Sequence, residues 1–111
     1  MKLLHNPRCS KSREALKLLR AAGVEPELIE YLKTPLGEAE IRTLLDALGQ
    51  APRAAMRAGE KIYRELGLKS ADDDALIAAI AAHPILLERP IAVSGDKAVI
   101  GRPPENVLTL I

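Results

Sequence analysis

Tyr31 and Tyr63 are the only aromatic residues in this chain of 111. Any core it builds must therefore be packed from leucine, isoleucine, valine and alanine. Apolar residues make up 48% of the chain, enough for one such core. The length suits one compact domain spanning residues 1–111. No linker, repeat or low-complexity segment interrupts it.

The apolar pattern then sets the order of elements. Lys2 to His5 reads as a short strand that Pro7 ends. Ala15, Leu16, Leu18, Leu19 and Ala22 recur at helical spacing, with Gly23 as the stop and Ser10 or Ser12 as the cap. Leu28 to Leu32 reads as a second strand. Thr34-Pro35 signals a helix start, Ile41, Leu44, Leu45 and Leu48 give that helix its stripe, and Gly49 ends it. A short helix from Pro52 to Met56 and another from Glu60 to Leu66 follow. Asp72-Asp73-Asp74 suits the dipole at a helix N-terminus, and His83-Pro84 ends that helix. Pro90 to Val93 and Ala98 to Ile100 read as strands joined by a hairpin turn at Ser94-Gly95-Asp96-Lys97. Pro103-Pro104 opens a last helix with Val107, Leu108 and Leu110 inward. The order is βα-βααα-ββα. It fits an α/β fold of the thioredoxin arrangement: a mixed sheet of about four strands flanked by helices, with an inserted helical segment.

Charge and segment type exclude several functions. Sixteen Lys and Arg against fifteen Asp and Glu leave a net charge of +1, without the basic excess of a nucleic-acid binder. Met1-Lys2-Leu3-Leu4 runs into His5-Asn6-Pro7 with no signal-peptide pattern, and no apolar stretch reaches transmembrane length. The expectation is a soluble, cytoplasmic monomer with no membrane or nucleic-acid partner. No His, Cys, Asp or Glu cluster has metal-ligand spacing, so no bound cofactor or metal is expected. The Asp72–Asp74 run reads as capping and solvation.

Cys9 is the only cysteine. It stands where a short apolar run meets a helix, among Arg8, Lys11 and Arg13. A free thiol with an ordinary pKa near 8.5 is only about 3% thiolate at neutral pH. A helix N-terminus and neighbouring cations both favour the charged form, so Cys9 is expected to be a reactive thiolate rather than a small buried hydrophobe. One cysteine cannot form an internal disulfide, so its oxidation must be resolved by an outside thiol.

Three blocks carry a family resemblance. They are His5-Asn6-Pro7-Arg8-Cys9-Ser10-Lys11-Ser12-Arg13; Arg53-Ala54-Ala55-Met56-Arg57 with Tyr63-Arg64-Glu65-Leu66-Gly67-Leu68; and His83-Pro84-Ile85-Leu86-Leu87-Glu88-Arg89-Pro90-Ile91 with Gly101-Arg102-Pro103. Together they resemble the glutaredoxin-coupled, ArsC-type arsenate reductases, in the family's order and over essentially the whole chain. The first block is close to the pattern H-N-P-x-C-x-x-S-R.

The resemblance implies Cys9 as the nucleophile toward arsenate or a similar oxyanion, with His5 and Ser12 as its catalytic neighbours. It assigns the oxyanion to Arg57, Arg89 and Arg102. Guanidinium forks and helix N–H groups suit a tetrahedral oxyanion, and they offset the repulsion between it and a thiolate. Asn6, Arg13 and Pro90 support the site, Pro90 as a candidate cis-proline. Glutathione is implied as co-substrate and glutaredoxin as the partner that completes the reduction. Each residue also has a plainer reading. Arg57 could be a solvated helix charge, Arg89 a loop charge and Arg102 a surface residue. His5 could orient the loop, Arg13 could supply only local charge, and Ser12 could be a cap rather than a donor to sulfur.

Three alternatives stand beside this reading. One is an ArsC-like thiol oxidoreductase with another substrate. Another is an Spx-type regulator that binds RNA polymerase, although the C-x-x-C switch is replaced by Cys9-Ser10-Lys11-Ser12. The last is a low-molecular-weight phosphatase, which needs C-x5-R where this chain has C-x3-R from Cys9 to Arg13.

Overall fold

Lys2-Leu3-Leu4 forms strand β1 (Lys2–Leu4), and the turn after it contains Pro7. The structure, a computed structural model, describes residues 1–111. Helix α1 (Ser10–Ala21) buries Ala15, Leu16 and Leu19 along the face that their spacing defines. It leads into β2 (Glu27–Ile29), which runs parallel to β1 with Leu3 opposite Leu28. Strand β3 (Ile91–Ser94) pairs antiparallel with β1, and β4 (Lys97–Ile100) returns beside β3. The hairpin between them turns on Gly95 at φ 62°, a conformation that a side chain makes costly. The sheet order is β2-β1-β3-β4, the mixed four-stranded sheet expected from the sequence.

These strands belong to a unit made of Met1–Thr34 and Arg89–Ile111. Leu3, Ala15, Leu16, Leu19, Ala92 and Val107 form its core cluster, where α1 and a final 3-10 helix (Pro104–Leu110) cover one face of the sheet. All are aliphatic, as the shortage of aromatics requires. Each fully buried leucine contributes roughly 1.5–3 kcal/mol through removal from water.

Pro35–Glu88 forms a second compact unit. It holds α2 (Glu38–Leu48), α3 (Lys61–Glu65) and α4 (Asp73–Ala82), linked through 3-10 turns at Pro52–Ala55 and Leu68–Ser70. Helix α2 packs against α4, and Ile41, Leu44, Leu45, Leu76, Ile77 and Ile80 are buried. Asp72 caps α4 by accepting the Ala75 N–H at 2.9 Å. Arg53 donates through Nη1 to the Tyr63 hydroxyl at 2.6 Å and the Leu68 carbonyl at 2.9 Å, and through Nη2 to the Ala71 carbonyl at 2.8 Å. A charge in the 3-10 turn before α3 thus clamps one of the two aromatics.

Four expectations are corrected. Helix α2 begins at Glu38, not at Thr34-Pro35: the Gly37 N–H donates to the Glu40 carboxylate at 3.2 Å, while the Lys33 and Thr34 N–H groups turn back to the Glu30 carbonyl. Strand β2 stops at Ile29 because the Tyr31 N–H folds back onto the Ile29 carbonyl. Neither Ser10 nor Ser12 caps α1; Cys9 occupies the cap position. The last helix is 3-10, with Pro104 and Val107 buried three residues apart, the repeat of that helix.

Candidate active site

Cys9 is the last extended residue before α1, at φ −89° and ψ 123°, and its side chain makes no capping hydrogen bond. Its carbonyl accepts the Arg13 N–H at 3.0 Å, which opens the helix. The first helical N–H groups have no partner within the helix, so they present donors and partial positive charge at the thiol's end. Cys9 is largely buried, with 9% of its surface exposed.

The loop before it is braced from within. The Cys9 N–H donates to the Asn6 carbonyl at 2.9 Å, and Asn6 Oδ1 accepts the Arg8 N–H at 3.0 Å, a side-chain turn typical of asparagine. Arg13 reaches back from α1 and donates through Nη1 to the Pro7 carbonyl at 2.9 Å. Ser12, fully buried, accepts the Asn6 N–H at 3.0 Å and shares a 2.6 Å hydrogen bond with His5 Nδ1. The His5 N–H extends the β1–β2 ladder by donating to the Ile29 carbonyl at 2.9 Å. His5, Asn6, Ser12 and Arg13 therefore hold Cys9 in place as one hydrogen-bonded frame. The Ser12 hydroxyl is engaged by His5 and Asn6.

Burial pushes the His5 pKa below its ordinary value near 6.5; Glu30 opposes the shift, and Arg20 and Arg13 reinforce it. The folded state thus prefers the neutral ring, and between the folded and unfolded values the unfolded chain binds more protons. Stability from this group is complete above about pH 6.5 and falls as pH drops below it, by at most about 1.4 kcal/mol per pH unit. Urea unfolding between pH 7 and pH 5 should show this loss in the parent. The His5→Asn variant should lack that component, and equal slopes in the two proteins would show that His5 does not contribute it.

Two of the three predicted arginines lie in the same unit as Cys9. Arg102 stands on the loop between β4 and the final 3-10 helix. Its Nη2 lies 3.9 Å from Cys9 Sγ, and its Nε donates to the Arg89 carbonyl at 2.9 Å. Arg89 precedes Pro90 at the entry to β3, and the Arg89–Pro90 and Arg102–Pro103 peptide bonds are both cis. Arg89 Nε and Nη1 are buried with no hydrogen-bond partner. Buried guanidinium N–H groups without partners are costly and suit an anionic ligand. Arg57 lies in the second unit, where Glu60 at 2.9 Å and Glu88 at 3.4 Å pair with it.

The structure adds two residues that the sequence reading missed. A Cβ on Gly101 would stand 2.8 Å from Pro90 Cγ and 3.0 Å from Val107 Cγ1, and the Gly101 N–H donates to the Pro90 carbonyl at 2.8 Å. Only glycine lets the Arg102 loop approach Pro90 this closely. Gly101→Ala should lower stability by about 1–3 kcal/mol, the usual cost of overpacking; an unchanged urea midpoint would show that the Pro90 ring yields freely. Asn106 bridges two carbonyls of the same loop. The signal for it in the sequence was Pro103-Pro104, a pair without N–H donors that leaves nearby carbonyls to find another partner.

Fold and site together define a thioredoxin-like protein with its one thiol at the head of the first helix. The chain belongs to the ArsC family, whose pattern it matches over residues 4–110. A protein of Neisseria meningitidis serogroup A named arsenate reductase is 49% identical over 110 residues, covering 96% of this chain and 94% of that protein. Uncharacterized protein YfgD of Escherichia coli K12 is 52% identical over 114 residues, covering 100% of this chain and 96% of that one. The solved structure of arsenate reductase from Vibrio cholerae matches with a TM-score of 0.96 at 48% identity, covering 99% of this chain and 96% of that one.

Proposed function

We propose that this protein is an arsenate reductase that works through a covalent adduct on Cys9, with glutathione and glutaredoxin supplying the electrons. The observation that carries the reading is the thiol at the α1 N-terminus with the Arg102 guanidinium 3.9 Å from its sulfur. The family membership and the relatives named arsenate reductase support the choice of oxyanion.

The Cys9 thiolate attacks arsenate, an oxygen leaves as water after taking up protons, and a sulfur–arsenic bond forms. The helix N–H groups and Arg102 offset the charge that gathers as two anions meet. Arg89, whose Nε and Nη1 are buried without partners, joins Arg102 as a ligand of the oxyanion oxygens. Glutathione then attacks the adduct. Glutaredoxin completes the two-electron reduction, arsenite is released, Cys9 returns as thiolate, and the electron pair has come from two external thiols that end as a disulfide. With Cys9 as the only cysteine, the second thiol must come from outside.

The resemblance adds Arg57 to the oxyanion ligands. Its guanidinium is already neutralised by Glu60 and Glu88, so the two arginines in the unit of Cys9 carry the proposal. The site requires no metal or bound cofactor in this scheme, and the reaction belongs to a cytoplasmic glutathione pool with the enzyme acting as a monomer.

The test is arsenate reduction by the purified protein with glutathione, glutaredoxin and NADPH-linked recycling of the disulfide. Turnover that depends on all three components is the expected result. No turnover, in a protein whose Cys9 still reacts with alkylating agents, would overturn arsenate as substrate and favour a different oxyanion.

A further inference from the structure

We infer that Asn106 is a positioning residue that holds Arg102 over the Cys9 sulfur; the inference rests on Arg102 as an anion ligand. Arg102 is exposed, and its loop contains Pro103 and Pro104. Neither proline has an N–H to donate, so neither can satisfy a carbonyl of this segment; the Ile100 carbonyl accepts the Arg102 N–H at 2.9 Å. The nearest backbone donor in a turn position, the Asn106 N–H, is taken by the Pro103 carbonyl at 3.0 Å.

The Asn106 side chain adds a donor for the Arg102 carbonyl. Its Nδ2 donates to the Arg102 carbonyl at 3.0 Å and lies 3.4 Å from the Ile100 carbonyl. These two carbonyls flank Gly101, whose N–H is tied to the Pro90 carbonyl at 2.8 Å. The Arg102 backbone is thus held at its N–H by the Ile100 carbonyl and at its own carbonyl by Asn106, next to a Gly101 tied to Pro90. Its guanidinium is fixed in turn by the Arg89 carbonyl, which leaves Nη2 beside Cys9 Sγ. Without the amide, the Arg102 carbonyl must turn to water, the loop is freed at its centre, and the guanidinium spends less time at the sulfur.

The test compares alkylation of Cys9 by iodoacetate, an anion, with alkylation by iodoacetamide, its neutral counterpart. The rate ratio reports positive charge at the sulfur and does not depend on arsenate turnover, so it separates this inference from the assignment of substrate. Arg102→Ala should lower the ratio on the order of fivefold, as expected for one partly exposed charge. Asn106→Ala should lower it by a similar factor, and the double variant should fall no further than Arg102→Ala alone. Asn106→Leu, with the same branching and heavy-atom count as asparagine and without donors, repeats the measurement should the alanine variant fold poorly. A residue with only a structural role would change both rates together and leave the ratio alone. An unchanged ratio in the Asn106 variants, an unchanged ratio in Arg102→Ala, or additive losses in the double variant would each overturn the proposal.

Discussion

Cys9→Ser is expected to fold at least as well as the parent and to reduce arsenate roughly a thousandfold more slowly or worse, as loss of a nucleophile does elsewhere. The two halves of this expectation have different origins. Serine is nearly the size of cysteine, and the site is tightly enclosed. Cys9 sits at the cap of α1 without making a side-chain hydrogen bond there, whereas serine is among the preferred capping residues, worth about 0.5–2 kcal/mol relative to alanine. The substitution should therefore hold or raise the unfolding midpoint. The serine hydroxyl does not ionise near neutral pH, so no nucleophile remains. Coupled turnover and urea unfolding of the same preparation check both parts, and substantial turnover in the serine protein would remove Cys9 from the chemistry.

Arg89→Met separates function from stability in the opposite sense. Arg89 Nε and Nη1 are buried without partners. Leaving buried polar groups unmade costs about 1–3 kcal/mol, and methionine replaces the stem without the charge. The variant should be as stable as the parent or more so, by up to about 1 kcal/mol. Turnover should fall about a hundredfold, the scale on which one preorganised oxyanion donor acts. The strain of an unpaired guanidinium is the mark of a group kept for a ligand rather than for the fold. A variant that loses stability and keeps its activity would make Arg89 a structural residue.

Much of this fold was legible because its elements announce their ends. Gly49 stops α2, Asp72 starts α4, and Gly95 turns the hairpin, each through a local rule that needs no knowledge of the rest. The errors fall where two local signals compete or where a side chain is claimed by another partner. Thr34-Pro35 has the look of a helix start, but the choice was made by Glu40 reaching the Gly37 N–H. Ser10 and Ser12 have the chemistry of caps, yet Ser12 is taken by His5 and Asn6. The final segment has Pro104 and Val107 as its buried residues, a spacing of three that distinguishes a 3-10 helix from an α-helix only once burial is known.

The site divides in the same way. Cys9, Arg89 and Arg102 are readable as residue types, and the placement of Cys9 at a helix start follows from local pattern. Part of the frame that holds them is made of backbone carbonyls: those of Pro7, Arg89 and Arg102 receive orienting bonds. Every residue carries such a carbonyl, so residue type alone does not mark the ones that matter. For Asn106 the sequence held only the indirect signal of Pro103-Pro104, a pair without N–H donors.

Cys9 and Arg102 are 93 positions apart, and the sheet that unites them draws β1 and β2 from one part of the chain and β3 and β4 from another. During synthesis the thiol leaves the ribosome early, whereas the arginine that stands beside it comes late. Until β3 pairs with β1, the nascent chain carries a cysteine without its guanidinium neighbour. Long-range pairing of this kind is slow to form because the intervening chain must first be closed into a loop. The counter-charge therefore reaches the thiol only after the strands that flank Arg89 and Arg102 have been made, so a half-made chain lacks the arginine part of the site.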